Sequence, residues 1–186
     1  MRRDRAFVEQ EVNLYSASAK NLLSLIPSVS IALHKINFRR PDSQGRELQR
    51  VIDEEIIKPL AADLEAATAC SIDDYQACCG ECEVVYPASL KKTIKIFYPG
   101  VRSFLQLIYD FDKLMFWENR RWLTGLINDR EFKEVRSSWR QRFLQARWQI
   151  REMAKTGQLL PPRKTTQKRA FSGDKGRNKP DTLKVV

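Results

Sequence analysis

A chain of 186 residues with a net charge of +10, drawn from 33 basic and 23 acidic side chains, suits one domain with tails and favours a polyanionic partner. Its 42% hydrophobic and 10% aromatic residues exclude general disorder. The longest uncharged stretch, 14 residues from Asn21 to His34 containing Pro27, excludes a membrane-spanning helix, which needs about 20.

The chain opens with Met1, Arg2, Arg3, Asp4 and Arg5 and passes to Glu9 and Glu11 rather than to an apolar signal region. The expectation is a cytoplasmic protein with no membrane partner. Residues 1–27 read as a weakly amphipathic lead-in ending at Pro27. From Ser28 to Phe38, Val29, Ile31 and Leu33 alternate with Ser28, Ser30, Ala32 and His34, which predicts a strand. Asp42 or Ser43 would cap a helix over about 45–68, carrying Leu48, Val51, Ile52, Ile56, Leu60 and Leu64 at helical spacing. Pro59 predicts a kink there, or a second helix beginning near it, because proline removes a backbone donor. Ser71 with Asp74 reads as a capping box opening a short helix, and Gly80 as its end.

Val84 to Tyr98 is strand-like. In it Leu90, Ile94, Ile96 and Tyr98 share one face with Lys92, while Lys91, Thr93, Lys95 and Phe97 occupy the other. After Pro99 and Gly100, a helical stripe runs through Val101, Phe104, Leu105, Ile108, Phe111 and Met115. Asn128 caps a last helix with Glu131 in the capping-box position. That helix has an apolar face of Phe132, Val135, Trp139, Phe143, Ala146 and Ile150, with Arg136, Arg140, Arg147 and Arg151 in a stripe beside it. From Gly157 the composition turns to Pro, Lys, Thr, Ser and Gly, with eight basic and two acidic residues, predicting a disordered basic tail over 157–186.

Little in this pattern resembles catalytic machinery. There is no phosphate-binding glycine loop, and a lone His34 removes most histidine-based acid–base arrangements. Adjacent acids such as Glu54 and Glu55, or Asp110 and Asp112, point apart on a helix and read as solvated or ion-paired. Cys70, Cys78, Cys79 and Cys82 contain one C-x-x-C pair, but the gap between Cys70 and Cys78 suits zinc poorly, so reduced thiols are expected and no cofactor. Trp139 belongs to the core stripe, whereas Trp117 and Trp148 lie off it and could equally serve an interface. An exposed ribbon bearing Lys91, Thr93 and Lys95 would offer donors to base edges and phosphates in a major groove, and an ordinary half-buried strand would also point its lysines outward.

Ser30-Ile31-Ala32-Leu33-His34, Leu107-Ile108-Tyr109-Asp110-Phe111-Asp112-Lys113-Leu114 and Leu123-Thr124-Gly125-Leu126-Ile127, followed by the arginine-rich last helix, resemble the AcaB-like family. These are transcriptional regulators encoded on conjugative plasmids, with relatives in integrating conjugative elements. The resemblance implies a ribbon-helix-helix DNA-binding element, a homodimer and activation of transfer genes, with RNA polymerase as a further contact. The ribbon would be Leu90 to Tyr98, the first helix would start at Val101 and the second at Asp129. An internal ribbon departs from the usual pattern, as does a long first helix from Val101 unless it breaks near Glu118 or Gly125, and Ser28 to Phe38 is the other candidate ribbon.

The expectation is therefore an α+β domain, mostly helical with a short ribbon strand. It spans residues 28–156, with the ribbon-helix-helix-like part at 90–153. It would act, without enzymatic activity, as a dimeric regulator on a near-palindromic site in double-stranded DNA. Lys91, Thr93 and Lys95 are the candidate base and phosphate contacts, Lys92 a phosphate neighbour, and Arg136 and Arg140 backbone clamps. The alternative is a non-enzymatic structural or accessory protein of the transfer apparatus.

Overall fold

The computed structural model of the protein describes residues 7–39, 43–79 and 90–158. Strand β1 (Val8–Leu14) is followed by α1 (Ala17–Leu22), a 3₁₀ turn at Leu23–Leu25 and α2 (Ile26–Arg39). Then come α3 (Ser43–Ile52), a π-helical turn at Asp53–Ile57 and α4 (Lys58–Cys79). Strand β2 (Leu90–Ile96), α5 (Pro99–Leu123) and α6 (Asp129–Thr156) complete the described chain. Among the described residues the architecture is α+β, mostly helical with one two-stranded antiparallel sheet. None of the described helices is long and apolar enough to cross a membrane.

Helix α5 is the centre of the molecule, meeting α1, α2, α4, α6 and β2. Its predicted stripe of Val101, Phe104, Leu105, Ile108, Phe111 and Met115 is buried throughout, joined by Leu107 and Leu114. A helix buried on so wide an arc needs partners on several sides, which explains its central position. Its start presses on α2: a Cβ added at Gly100 would lie 3.0 Å from Leu33 Cδ1, so glycine permits that approach. The helix stops at Leu123, where Gly125 takes a left-handed φ of 77°. Asn128 then opens α6, accepting from the amides of Arg130 and Glu131 while the Glu131 carboxylate accepts from the Asn128 amide. On α6, Trp139, Phe143, Ala146 and Ile150 are buried against the core, as their spacing requires, and Phe132 and Val135 pack at its margin.

Two expectations for the first 38 residues are overturned. Ser28 to Phe38 is not a strand but part of α2, with Val29, Ala32, Leu33 and Ile36 buried at spacings of three and four while Ile31 is 57% exposed. The same residues satisfy both periods, and packing against α5 and α6 selects the helical one. The segment read as a lead-in is likewise part of the core: Val12, Leu14, Ala19, Leu22, Leu23 and Leu25 join the central cluster. Pro27 sits in the first turn of α2, where a missing backbone donor is tolerated, so it marks a beginning rather than an end.

Elsewhere Pro59 stands second in α4, as one reading of the sequence foresaw. The π-helical turn just before it, where the Lys58 amide donates to the Asp53 carbonyl, accommodates the donor that proline lacks. Ser71 does not cap a new helix, because α4 runs through it to Cys79. Its hydroxyl instead donates to the buried Glu118 of α5 at 2.6 Å, and Arg121 bridges Glu118 at 2.9 Å and Asp74 at 2.8 Å. The Ser71 and Asp74 spacing is thus half of a polar clamp between α4 and α5. Gly80, Cys82, Val84 to Ser89 and the tail from residue 159 lie outside the described residues.

Candidate nucleic-acid interface

Strand β2 pairs with β1 of its own chain, in antiparallel register from Val8 opposite Ile96 to Leu14 opposite Leu90. The ribbon expected from two chains is formed here by one. Since side chains alternate along a strand, the pairing sorts the candidate residues onto two faces. Ile96, Ile94 and Lys92 share the inner face with Val12 and Leu14, and Val12, Leu14 and Ile96 are buried. Lys91, Thr93 and Lys95 lie on the outer face, all exposed, opposite Asn13, Glu11 and Glu9 respectively.

That outer face is charge-balanced. Lys95 Nζ is 3.6 Å from Glu9 Oε1 and 4.5 Å from the centre of the Phe7 ring, which in turn contacts Phe97. Carboxylates at this density repel a phosphate backbone, but a face mixing ammonium, hydroxyl, amide and carboxylate groups presents both donors and acceptors, the inventory that base edges match.

Lys92 faces the other way, toward the body of the protein. It lines a cleft of about 890 Å³ together with Lys20, Asn21 and Ser24 from the α1 region and Lys133, Arg136, Ser137 and Arg140 from α6. Helical geometry explains the α6 contribution. Positions 133, 136, 137, 140 and 144 fall within one narrow arc at about 100° per residue, and Leu144 at its end joins the buried Leu22, Leu25 and Phe111 on the cleft wall. Five cations converge here, and none of the described lining residues is acidic. Of the candidates named from sequence, the fold gathers Lys92, Arg136 and Arg140 into this cleft and sends Lys91, Thr93 and Lys95 to the opposite face of the ribbon. Arg147 and Arg151 continue the α6 stripe but do not line the cleft.

Lys20 and Lys133 were missed by sequence reasoning. Lys133 lies on the stripe of Arg136 and Arg140 and was recoverable from spacing, whereas Lys20 was hidden because the element carrying it was read as a lead-in. The position of Lys20 depends on a buried carboxylate. Asp112 of α5 accepts hydrogen bonds from the backbone amides of Tyr15 at 2.9 Å and Ser16 at 2.8 Å, and the Ser16 hydroxyl caps α1 by accepting from Ala19. Helix α1, with one wall of the cleft, is thereby fixed to the central helix.

The remaining candidates have structural surroundings. Glu54 is ion-paired with Lys58 at 2.6 Å on the surface. His34, half-buried on α2, is hydrogen-bonded through Nδ1 to the Tyr98 hydroxyl, with the rings stacked at 5.6 Å. Cys70 and Cys78 are exposed thiols, and no cluster of three or more metal-binding side chains occurs among the described residues. Trp139 is core, with the Arg142 guanidinium 4.3 Å from its ring centre. Trp117 is half-buried, packing on Tyr75 of α4 and on Phe116, with Arg120 over the group. Trp122 is 39% exposed, stacks on Phe132 and donates its indole N–H to Asp129 at 2.7 Å.

No protein-family model matches the chain, and none of the curated proteins does. Among solved structures it is similar to AcaB from uropathogenic E. coli, determined as the selenomethionine-containing protein. The two are 24% identical with a TM-score of 0.73, over 82% of this chain and 81% of that one. The chain therefore has an AcaB-like fold.

Proposed function

We propose that this protein is a non-enzymatic transcriptional regulator of conjugative transfer genes, acting as an activator that binds double-stranded DNA. The observation that carries the reading is the convergence of Lys20, Lys92, Lys133, Arg136 and Arg140 on one cleft, none of whose described lining residues is acidic. Contacts to phosphates position a protein on a duplex and contacts to base edges specify the sequence, and the two faces of the ribbon divide along those lines. The cationic cleft tracks the backbone. The mixed outer face, with Lys91, Thr93, Lys95 and Asn13, reads base edges. The AcaB-like fold and the motif resemblance support the regulatory role and the connection to transfer genes.

In this reading a second copy joins the first to give a near-palindromic operator. With one edge of β2 occupied by β1, the two copies present two complete ribbons rather than one shared ribbon. Activation would bring RNA polymerase to the bound protein, and the basic tail adds non-specific attraction.

Sites selected from random duplex DNA by the full chain test the proposal, read beside its mass in solution. Enrichment of a near-palindrome bound by a dimer supports regulation. Equal affinity for all duplexes rejects it in favour of an accessory protein of the transfer apparatus, and failure to bind duplex at all rejects both forms of DNA binding.

A further inference from the structure

We infer that the cleft between α1, β2 and α6 is also a site for a small oligophosphate, a molecule carrying three or more consecutive phosphates, whose occupancy excludes DNA. The inference rests on the same cleft as the DNA reading but asks more of it. A duplex is convex, so its phosphates engage exposed cations at a rim. At about 890 Å³ the cleft is a concavity in the range of small-molecule sites, roughly 300–1,000 Å³.

Its chemistry selects the class of ligand. Lys92, Lys133, Arg136 and Arg140 are exposed and Lys20 partly so, each free to move its head group onto an anion. Arg136 and Arg140 supply forked donors suited to phosphate oxygens, and the lysines supply point charges. A single phosphate leaves most of these cations unmatched. A chain of three brings a compensating charge in a compact volume, and Ser18, Asn21, Ser24 and Ser137 offer further hydrogen bonds along the same walls. None of the five cations has an ion-pair partner within 4.0 Å among the described residues, whereas Arg130 at the start of α6 is paired with Glu134 at 2.8 Å. An arriving anion therefore displaces no internal ion pair.

Nucleoside triphosphates and inorganic tripolyphosphate share this chemistry, and titration calorimetry of the full chain against each, at matched ionic strength, separates them. The expected result is one saturable site, with tripolyphosphate or a nucleoside triphosphate bound at least about tenfold more tightly than orthophosphate. Tighter binding of ATP or GTP than of tripolyphosphate assigns the site to nucleotides, and the reverse order assigns it to inorganic oligophosphate. The double variant Arg136→Ala/Arg140→Ala should weaken binding by at least about tenfold, since each charge-assisted contact contributes that order. Arg130→Ala, outside the cleft, should bind as the parent does. Both cleft arginines are exposed, and an unchanged circular dichroism spectrum verifies that the double variant folds.

Unsaturable heats, or a double variant that binds as tightly as the parent, would overturn the inference. A duplex-binding assay on the same proteins separates the two claims. Duplex binding that depends on Arg136 while oligophosphates fail to bind removes this inference alone. Saturable oligophosphate binding by a protein with no affinity for duplex removes the DNA reading, and with it the exclusion of DNA, and leaves the oligophosphate site standing.

Discussion

Asp112 shows how one side chain can position a site it does not line. The carboxylate is buried and satisfies two backbone amides at the junction of β1 and α1, across nearly a hundred residues of sequence. Replacing it by alanine strands the buried Ser16 donor and the part-buried Tyr15 donor, so Asp112→Ala should lower unfolding stability by about 1–3 kcal/mol, measured by urea denaturation. Asp53, at the π-helical turn, acts in the opposite sense. Desolvation pushes its carboxyl above the ordinary aspartate range, Lys58 draws it partly back, and Glu54 adds to the rise. A raised carboxylate in the folded state means that stability falls as pH climbs from the unfolded value through the folded one. Asp53→Asn should therefore stabilise the protein modestly at pH 7, and the difference from the parent should vanish below the unfolded pKa, near 4. Denaturation midpoints of the two proteins across pH 3–7 check the sign, with any gain kept small because the group retains contact with solvent.

At the scale of elements, α6 is a helix with two jobs on adjacent faces. Phe143 lies on the inward face, fully buried, at 6.0 Å from the Phe104 ring in an edge-on contact and 5.5 Å from Phe111. Phe143→Ala removes most of that packing and leaves a cavity, and should cost about 3–5 kcal/mol in unfolding stability. Neighbouring Arg140, exposed and turned to the cleft, should leave stability nearly unchanged when replaced. The ribbon has a comparable division. Lys95→Ala on the outer face should relax discrimination between operator and non-operator duplex by about 1–3 kcal/mol. Lys92→Ala on the inner face should weaken both alike. Anisotropy titrations with the two duplexes read the contrast, and equal effects from both substitutions would reject the assignment of separate roles to the two faces.

For the whole molecule, the consequence of gathering five cations is a steep response to salt. If all five meet phosphates, log affinity should fall with log salt at a slope of about −4.5, and Arg136→Ala should reduce that slope by about one. The net charge of +10 says only that a polyanion is favoured. How the charge is used depends on pairing: β1 neutralises much of the ribbon's outer face through Glu9 and Glu11, while none of the cleft's described lining residues is acidic.

The sequence by itself determined the elements whose local signals agree with one another. Helices α5 and α6 could be read because a single 3.6-residue period and a capping box at Asn128 point the same way. The face alternation of β2 was also legible, since a period of two over Leu90 to Ile96 is independent of what the strand pairs with. Only the tertiary structure decided the rest. Ser28 to Phe38 fits a strand and a helix equally by pattern, and burial of Val29, Ala32, Leu33 and Ile36 against α5 and α6 is what separates them. The pairing of β1 with β2 joins residues some eighty positions apart, beyond the reach of any local period, and it decides which lysines meet carboxylates and which meet the arginines of α6. Local periodicity specifies which way a side chain turns on its own element, but the charges it will face belong to another element, and only packing brings the two together.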